Sequence, residues 1–572
     1  MPKIVELRQD RNLIRSNFDG YKLSLDAVPL IRQELNKIPY KATQNDAQYS
    51  LLHTELFSMQ NLLYADPWCR TTTYFVSTQG EVVCSNYDES IGRPQAPQVV
   101  YRMKSEKPRV NGDYNYSMRF ISEKYCVVCN GKRQIFLLET GDRRKLLEWK
   151  QVSSAEICNA EESCNFTIQD CRLDIIQEQK QISMILGNIQ TKDIANGTSN
   201  HYMHLYWAKW VQNDTWTFNI LDSLEGRGSL YYCAFEPRSE SLVLCSNREI
   251  KFKSENEINT IGTEVLEKPQ LHTEKNENSG FQWSQTDEDI TIKFDVKEDK
   301  EKTDYNVKCT SDKLTVKCSE DTLLDKVLFS KVDQDLTTWT IENNFLQITL
   351  SKQISSLFWT SLLENGEGPK ETLDNINSNP IPMEQQPIAN LEAPIEDCDF
   401  PIGIMDDEIK IERFNLPTKS VTHSVLLGST PPLFSTSLRP GFPLAIATRQ
   451  DVDACLWLQQ YNPSKPDVWA LRHEGNLHAF GYVQASKQQK KFMDCSPDLN
   501  YAIITESHRH IFLYKSNYDS ENSLRNRHGP QVQIGKQHLI TLDNVGEVLG
   551  MATAATVVTF LTEKYLLYLQ IN

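Results

Sequence analysis

The sequence predicts an all-β protein: a discontinuous, seven-bladed β-propeller that carries an inserted antiparallel β-sandwich. Two observations support this prediction. The first is a hairpin that recurs along the 572 residues as an apolar strand, a polar turn and a second apolar strand. The second is a stretch of about 85 residues in mid-chain where short alternating strands follow one another without a helical period.

The recurring hairpin has turn centres near residues 79, 131, 190, 247, 451, 507 and 563. Successive spacings are therefore 52, 59, 57, 204, 56 and 56 residues, and one interval is about 148 residues too long. A period near 56 with one strong hairpin in each unit is typical of four-stranded propeller blades. Seven units predict seven blades, and the long interval predicts an inserted domain. Two unrelated sandwiches on either side of the middle domain are the alternative.

Three details of this array are specific enough to check. The fourth hairpin is expected to pair residues 242–245 with 250–252. A weaker strand is expected at 478–483. Because closing a ring removes exposed strand edges, residues 21–25 are expected to complete the last blade beside the strand at 565–570.

The mid-chain stretch has the pattern of a small antiparallel sandwich. Apolar residues alternate with polar ones from 290 to 296, the period of a strand with one buried face. Similar runs recur near residues 307, 314, 324, 339 and 346. With the opening strand they give about seven strands, enough to close two packed sheets.

This stretch resembles the CS domain of the NudC family. FQWSQTDEDITIKFDV opens it at residue 281, and LLDKVLFSKVDQDLTTWTIENNFLQITLSKQISSLFWTSLL runs from 323 to 363. The family commonly has Gly after the Asp that precedes the Leu-Phe strand, whereas Lys326 follows Asp325 here, so the local turn is expected to differ. The resemblance implies partner binding by six residues: Trp283, Gln285, Asp289, Trp339, Lys352 and Trp359.

The three tryptophans have two interpretations. Large aromatic residues dominate burial in small sandwiches, which favours a core role for Trp283 and Trp339. For Trp359, which follows the last strand, a core role and a partner contact both remain open.

The resemblance extends beyond the CS stretch to essentially the whole chain, through DVDACLWLQQ at 451–460 and HAFGYVQASKQQKKFMDCSPDLNYAIITES at 478–507. It implies a co-chaperone or scaffold that binds client proteins, which in this family include β-propeller proteins and RNA helicases, in the cytoplasm and nucleus. It also implies a link to the ninety-kilodalton heat-shock chaperone. The chain lacks the N-terminal coiled coil through which NudC itself is thought to dimerise, so dimerisation is not implied.

The predicted domain boundaries follow from composition. The propeller occupies 1–253 and 401–572, and the CS domain occupies 280–364 between linkers at 254–279 and 365–400. Residues 364–400 hold nine acidic residues, one lysine and five prolines, a composition typical of an extended tether.

Charge and motifs argue against two classes of function. The formal net charge of −16 disfavours a nucleic-acid-binding surface, which needs concentrated Lys and Arg. No phosphate loop, nucleophile elbow, HExxH helix or paired CxxC framework occurs, so neither an enzyme nor a cofactor is predicted. The alternative is a propeller enzyme with an active site in the central channel. Such a site needs converging His, Asp, Glu or Arg, and the eleven histidines are spread without pattern.

Isolated metal-ligand residues have simpler interpretations. Cys126 and Cys129 have CxxC spacing, but positions three apart in a strand face opposite sides, so both are expected to be core thiols. His508 and His510 lack a third ligand, and no metal is predicted. The N-terminal residues lack an apolar signal region, and the fourteen cysteines have no regular spacing, so a cytoplasmic and nuclear protein with reduced thiols is expected.

Overall fold

A computed structural model describes residues 2–571, with gaps. The residues left out are 16, 105–107, 146, 158–164, 194–198, 254–280, 286–288, 297–303, 320, 343–344, 354–358, 360–361, 364–407, 463, 466–467, 517–523 and 526–530. The chain divides into two compact units, Met1–Thr263 with Phe400–Asn572, and Glu264–Asp399. We call them the propeller unit and the CS unit. Both predicted linkers lie outside the described residues.

The described elements before the second unit are mostly strands. The strands are β1 (Lys3–Ile4), β2 (Phe18–Leu23), β3 (Leu30–Glu34), β4 (Tyr64–Ala65), β5 (Thr72–Val76), β6 (Glu81–Asp88), β7 (Arg93–Pro94), β8 (Gln98–Arg102), β9 (Ser117–Phe120), β10 (Tyr125–Cys129), β11 (Gln134–Glu139), β12 (Lys150–Glu156), β13 (Thr167–Ile176), β14 (Gln179–Asp193), β15 (Ser199–Gln212), β16 (Trp216–Gly226), β17 (Leu230–Phe235), β18 (Ser241–Ser246) and β19 (Ile250–Phe252). Helix α1 spans Leu51–Ser58, and short 3-10 turns span Arg11–Leu13 and Arg143–Lys145.

The remaining strands belong to the CS unit and to the second part of the propeller unit. The CS unit has β20 (Phe281–Gln285), β21 (Asp289–Asp295), β22 (Tyr305–Cys309), β23 (Lys313–Cys318), β24 (Asp321–Val327), β25 (Val332–Glu342) and β26 (Phe345–Lys352). The propeller unit continues with β27 (Ile409–Asn415), β28 (Ser420–Gly428), β29 (Phe434–Thr436), β30 (Ala445–Gln450), β31 (Asp453–Gln460), β32 (Ala470–Leu477), β33 (Lys490–Cys495), β34 (Tyr501–Glu506), β35 (His510–Lys515), β36 (Leu524–Arg525), β37 (Gln531–Thr541), β38 (Val548–Thr553), β39 (Val557–Thr562) and β40 (Tyr565–Gln570). Helix α2 spans Phe480–Ala485. No helix in the described ranges is long and apolar enough to cross a membrane.

The described strands of the propeller unit form seven sheets. Sheet 1 contains β4 to β8, sheet 2 β9 to β12, sheet 3 β13 to β16 and β19, sheet 4 β17, β18, β27, β28 and β1, sheet 5 β29 to β32, sheet 6 β33 to β37 and β2, and sheet 7 β38 to β40 and β3. Apart from β1 and β2, the strands within each sheet pair antiparallel.

Seven apolar clusters join these sheets in a closed cycle. Sheets 1 and 2 share one cluster, and the next five clusters link each following pair up to sheets 6 and 7. The last cluster packs Val83 of sheet 1 with Leu566 of sheet 7. Consecutive sheets that bury their faces against one another, with the last returning to the first, are the architecture of a β-propeller. The predicted propeller is therefore confirmed.

The CS unit interrupts sheet 4 between two of its strands. β18 pairs antiparallel with β27, from Ser241 opposite Asn415 to Ser246 opposite Lys410. The predicted fourth hairpin is therefore wrong. Its second strand, β19, pairs instead with β16 of sheet 3. Apolar alternation identifies a strand but not its partner, and here the partner of β18 lies beyond the insertion.

Two further expectations are corrected. Residues 478–483 are not a strand, because Ala479 adopts a left-handed conformation (φ 52°) and the Val483 N–H donates to its carbonyl at 3.0 Å, which begins helix α2. Residues 21–23 lie in β2, which pairs parallel with β37 of sheet 6. The strand beside β40 is β3, which pairs with it antiparallel. The N-terminal segment thus completes the last sheet, but with a later strand than expected.

The CS unit has two sheets, in the orders β20-β21-β26-β25 and β22-β23-β24. Its apolar core includes residues from every one of these strands. Lys326 lies within β24, opposite Leu314 of β23, so the chain continues as a strand where the family commonly has glycine.

Candidate functional site

Gln285 ends β20 and connects the segment after the last strand to the start of its sheet. Its Nε2 donates to the Trp359 carbonyl oxygen at 2.9 Å, and its Oε1 accepts from the Trp359 main-chain N–H at 2.9 Å. The Lys352 ammonium donates to the same Oε1 at 2.9 Å. Because one side-chain amide satisfies both main-chain groups of Trp359, Gln285 fixes the position of that residue.

The tryptophans of the CS unit are core residues. Trp283 and Trp359 are each 1% exposed, and Trp339 packs against the same core from a partly buried position. The Trp359 ring also lies 5.8 Å from the ring of Phe329. The core role expected for Trp283 and Trp339 is confirmed, and of the two alternatives for Trp359 the burial favours the core role.

Three of the six residues implied by the resemblance, Gln285, Lys352 and Trp359, contact one another. Asp289 begins β21 opposite Ser351, the chain neighbour of Lys352, and Trp283 lies in the buried core. Partner binding by the six residues stays a prediction. For the two fully buried tryptophans, a substitution would affect a partner through the fold of the unit.

Sequence reasoning missed apolar side chains on the outside of the CS unit. Leu336 on β25 is 61% exposed, and Leu323 and Val327 are exposed on β24, an edge strand. The signal was present in the sequence, because Leu323 and Leu324 are adjacent and a strand buries only one of two successive side chains. Leu324 is the buried one.

The propeller unit encloses a cavity of about 390 Å³ whose wall includes residues of all seven sheets. The wall lies at the carboxyl ends of the innermost strands β4, β9, β17, β29, β33 and β38 and at the middle of β13. Five charged side chains line it: Arg70, Arg119, Asp170, Arg172 and Asp494. We call this cavity the channel site.

Sequence reasoning missed this convergence because it searched for histidines, and the wall contains none. The sequence signal for this site was the position of its residues within the hairpin repeat. Arg119 and Asp494 each lie roughly a dozen residues before a hairpin turn, on the first strand of a repeat.

The two carboxylates of the channel site hold neighbouring sheets together. Asp170 Oδ2 accepts from the Phe235 main-chain N–H of sheet 4 at 2.8 Å. Asp494 Oδ2 accepts from the Thr553 hydroxyl of sheet 7 at 2.7 Å. Burial raises the pKa of both carboxyls above their ordinary value. At least one oxygen of each carboxylate thus already accepts from a donor of the protein itself.

Asn61 makes an equivalent link between sheets 7 and 1. Its Nδ2 donates to the Met551 carbonyl oxygen at 2.6 Å, and its Oδ1 accepts from the Met551 N–H at 3.0 Å. Polar groups on the inner wall therefore join neighbouring sheets in addition to the apolar clusters between them.

Helix α1 packs at the opposite ends of the innermost strands. The Ser229 hydroxyl, just before β17, donates to Glu55 Oε1 at 2.8 Å. The Phe57 ring lies 5.7 Å from the ring of Tyr114, which precedes β9. The channel site is therefore at the end of the unit that α1 does not cover.

The cysteines and histidines considered as candidate metal ligands have structural surroundings. Cys126 and Cys129 are fully buried, and burial raises the pKa of Cys129 to about 12, which confirms that they are core thiols. His510 Nδ1 lies 2.7 Å from Glu506 Oε2. Among the described residues, no three His, Cys, Asp or Glu side chains are grouped to hold a metal ion.

Comparisons with known proteins identify the CS unit. Residues 279–352 match the family model described as "CS domain". Among solved structures, the nuclear movement protein from E. cuniculi GB-M1 is 24% identical and covers 15% of this chain and 98% of its own, with a TM-score of 0.14. The β-propeller domain of Cps50 (Swd1) from Myceliophteria thermophila is 8% identical, covers 90% and 97%, and has a TM-score of 0.34.

Two curated relatives extend the similarity to nearly the whole chain. NudC domain-containing protein 1 of Mus musculus is 28% identical over 595 residues, which cover 99% of this chain and 98% of the relative. The Xenopus laevis protein of the same name is 27% identical, with the same two coverages. The resemblance found in the sequence is thus confirmed: the chain contains a CS domain and is a homologue, over nearly its full length, of proteins named NudC domain-containing protein 1.

Proposed function

We propose that the chain is a non-enzymatic, protein-binding co-chaperone or scaffold of the NudC type. The observation that carries this proposal is the placement of a CS domain inside one sheet of a propeller, in a chain homologous end to end to NudC-domain proteins. Both sandwiches and propellers present large, rigid surfaces on which a partner can dock without a conformational change.

The surface of the CS unit supports a binding role. Leu323, Val327 and Leu336 remain exposed although the unit already buries a complete apolar core. Exposed apolar side chains on a small rigid sandwich are typical of protein contact surfaces. The hydrogen-bonded cluster around Gln285 would serve this role by fixing the fold of the unit.

A propeller enzyme is the second candidate, and the charged wall of the channel site is the observation that favours it. Against it, Asp170 and Asp494 already accept hydrogen bonds from the ring itself. Burial also raises the pKa of the Cys171 thiol in the same wall far above its ordinary value, so that thiol stays protonated. Carboxylates held by the ring and a protonated thiol suit binding better than nucleophilic chemistry.

The proposed partners are client proteins, namely β-propeller proteins or RNA helicases, together with the ninety-kilodalton heat-shock chaperone. These are the partners implied by the NudC resemblance, and the proposed locations are the cytoplasm and nucleus. Direct nucleic-acid binding is not proposed, because the net charge is −16.

Affinity purification with three proteins tests the proposal. They are the intact chain, the isolated CS window 280–364, and a chain in which a short Gly/Ser bridge replaces 256–398. We expect the intact chain to recover client and chaperone proteins, and the excised chain to lose the partners that need the CS unit. Leu336→Ser is the surface probe, and Thr340→Ser, an exposed change on the same strand, is its matched control. If all three proteins recover the same background as an unrelated propeller, the binding function is wrong.

A further inference from the structure

The wall of the channel site contains three arginines, and Arg172 pairs with Asp174 at 3.0 Å. The other two, the partly buried Arg70 and Arg119, lack the ion pairs of the two fully buried arginines in the described part of the chain. The Arg119 guanidinium donates to the carbonyl oxygens of Met118 and Gln169, at 3.3 and 3.2 Å. Arg70 Nη2 lies 3.5 Å from the Ser437 hydroxyl. Among the described residues, neither arginine has a carboxylate oxygen within ion-pair distance.

Arg143 and Arg413 provide the comparison within the same unit. Arg143 binds Asp66 through two nitrogens, at 2.5 and 3.0 Å. Arg413 binds Glu236 through two nitrogens, at 2.8 and 2.9 Å. A bidentate carboxylate is the strongest partner for a guanidinium, and it is the partner found where arginine has a structural role.

The carboxylates of the channel site do not supply that partner. Asp170 and Asp494 lie in the same wall as the arginines, but their oxygens accept from Phe235 and Thr553. Their charges act on Arg70 and Arg119 without forming an ion pair, so both guanidinium groups keep N–H donors that no carboxylate of the described residues takes. Both arginines line a cavity of about 390 Å³, within the size range of ligand sites.

The space continues beyond the channel site. A second cavity of about 730 Å³ shares Trp68 and Arg70 with the first and includes Arg144 in its wall. The Phe442 side chain in the wall of the channel site is 57% exposed. The second wall also carries Asp88, Glu89 and Asp498, so the part suited to an anion is the channel site itself. The adjoining space beyond Trp68 leaves room for an extended ligand.

We propose that the channel site binds an acidic peptide segment of a partner protein, with Arg70 and Arg119 each taking a carboxylate. Trp68 and Phe442 would pack on the aliphatic parts of the same segment. This proposal deepens the proposed function and rests on it, because it names the surface of the propeller and the chemistry of its partner. General attraction to polyanions cannot account for such binding, because the chain carries a net charge of −16.

Fluorescence anisotropy with the full chain and two labelled peptides, hexaglutamate and hexaglutamine, tests the proposal. We expect hexaglutamate to bind more tightly than hexaglutamine, and the double variant Arg70→Gln, Arg119→Gln to weaken it at least about tenfold. Arg32→Gln, on the outer strand β3, is the matched control and should leave binding unchanged. The variant Arg70→Lys, Arg119→Lys keeps both charges but loses bidentate geometry, so an intermediate loss is expected if the glutamine variant does not fold.

Each other outcome overturns the assignment. Equal binding of the two peptides, or hexaglutamate binding that neither double variant weakens, would rule out the two arginines as the site. If inorganic phosphate displaces hexaglutamate at concentrations below those of the peptide, the site is one for small anions. A failure of the proposed function would give a different result from a failure of this site. Affinity purification with the chain excised of 256–398 would then recover no partner. If a purified partner still binds the Arg70→Gln, Arg119→Gln chain, the proposed binding function holds and only the assignment of the channel site is wrong.

Discussion

The CS unit and the propeller unit differ in how far apart along the chain their paired strands lie. In the CS unit, the described pairs join strands within about 60 residues of one another. In the propeller unit, β3 pairs with β40 and β18 pairs with β27, so strands from both ends of the chain and from both sides of the insertion are neighbours. The CS unit can therefore fold from local information, whereas the ring requires the whole chain around the insertion.

The two units also bury charge differently. The propeller unit buries the bidentate pair of Glu236 and Arg413, which joins the segments on the two sides of the insertion. In the CS unit, the buried Lys352 donates to the neutral amide of Gln285. Loss of either partner of the Glu236–Arg413 pair should therefore be costly in the ring, because it leaves a buried charge unpaired.

The largest expected effect is that of Trp283→Ala in the isolated CS window 280–364. Truncating a fully buried tryptophan typically costs about 3 to 5 kcal/mol, which is most of the stability of a domain of this size. Trp339→Ala, at a partly buried position, should cost less. Thermal unfolding followed by circular dichroism measures both, and an unchanged midpoint for Trp283→Ala would place that side chain at an interface.

Arg413→Met should destabilise the propeller unit by about 3 to 5 kcal/mol, because it leaves the buried Glu236 carboxylate without its partner. Arg238→Met is the control. Its partner Glu240 and its own side chain are both more than half exposed, so a loss below about 1 kcal/mol is expected. Denaturant unfolding of the intact chain separates the two. A loss confined to the CS transition would contradict the assignment of Arg413 to the ring.

Acid should weaken the ring through buried histidines, a residue type that the CS window 280–364 does not contain. Burial lowers the pKa of His53, which faces His201, and of His204, which faces Glu225, Lys192 and Lys253, to about 4 in each case. The unfolded chain therefore binds protons that the folded ring excludes, and stability falls as the pH drops from about 6.5 to about 4. Each unit of pKa shift is worth about 1.4 kcal/mol.

The CS window 280–364 contains no histidine, so this source of acid sensitivity should be absent from it. His53→Gln and His204→Gln should each flatten the pH dependence of the ring. The measurement is the unfolding midpoint between pH 7 and pH 4.5. A ring whose midpoint is flat over that range, or unaffected by both substitutions, would contradict the burial argument.

The smallest expected effect is that of removing the CS unit. Replacing 256–398 with a short Gly/Ser bridge should leave one cooperative transition with a midpoint close to that of the intact ring, because β18 and β27 still pair directly. An excision from 250 that also removes β19 should cost more, since sheet 3 loses an edge strand. An unfolded short-excision protein beside a stable CS window would show that the insertion model is wrong.

The sequence predicted the strands better than their partners. Alternation located Tyr501 and Ile511 in one hairpin, as the structure has them, because the two strands are separated by a short turn. It paired β18 with β19 wrongly, since the true partner lies across the insertion. The charged channel wall was not predicted, because convergence of Arg70 and Asp494 depends on ring closure, which no local pattern records.

The most direct test of the proposed function is the affinity of one purified client for three proteins in one buffer: the intact chain, the CS window 280–364 and the chain excised of 256–398. Because tethering raises the effective concentration of the second contact, the intact chain should bind at least about a hundredfold more tightly than either part. Each part should still bind detectably. If the excised propeller matches the intact chain in affinity, the CS unit takes no part in holding the client, and the two-module account is wrong.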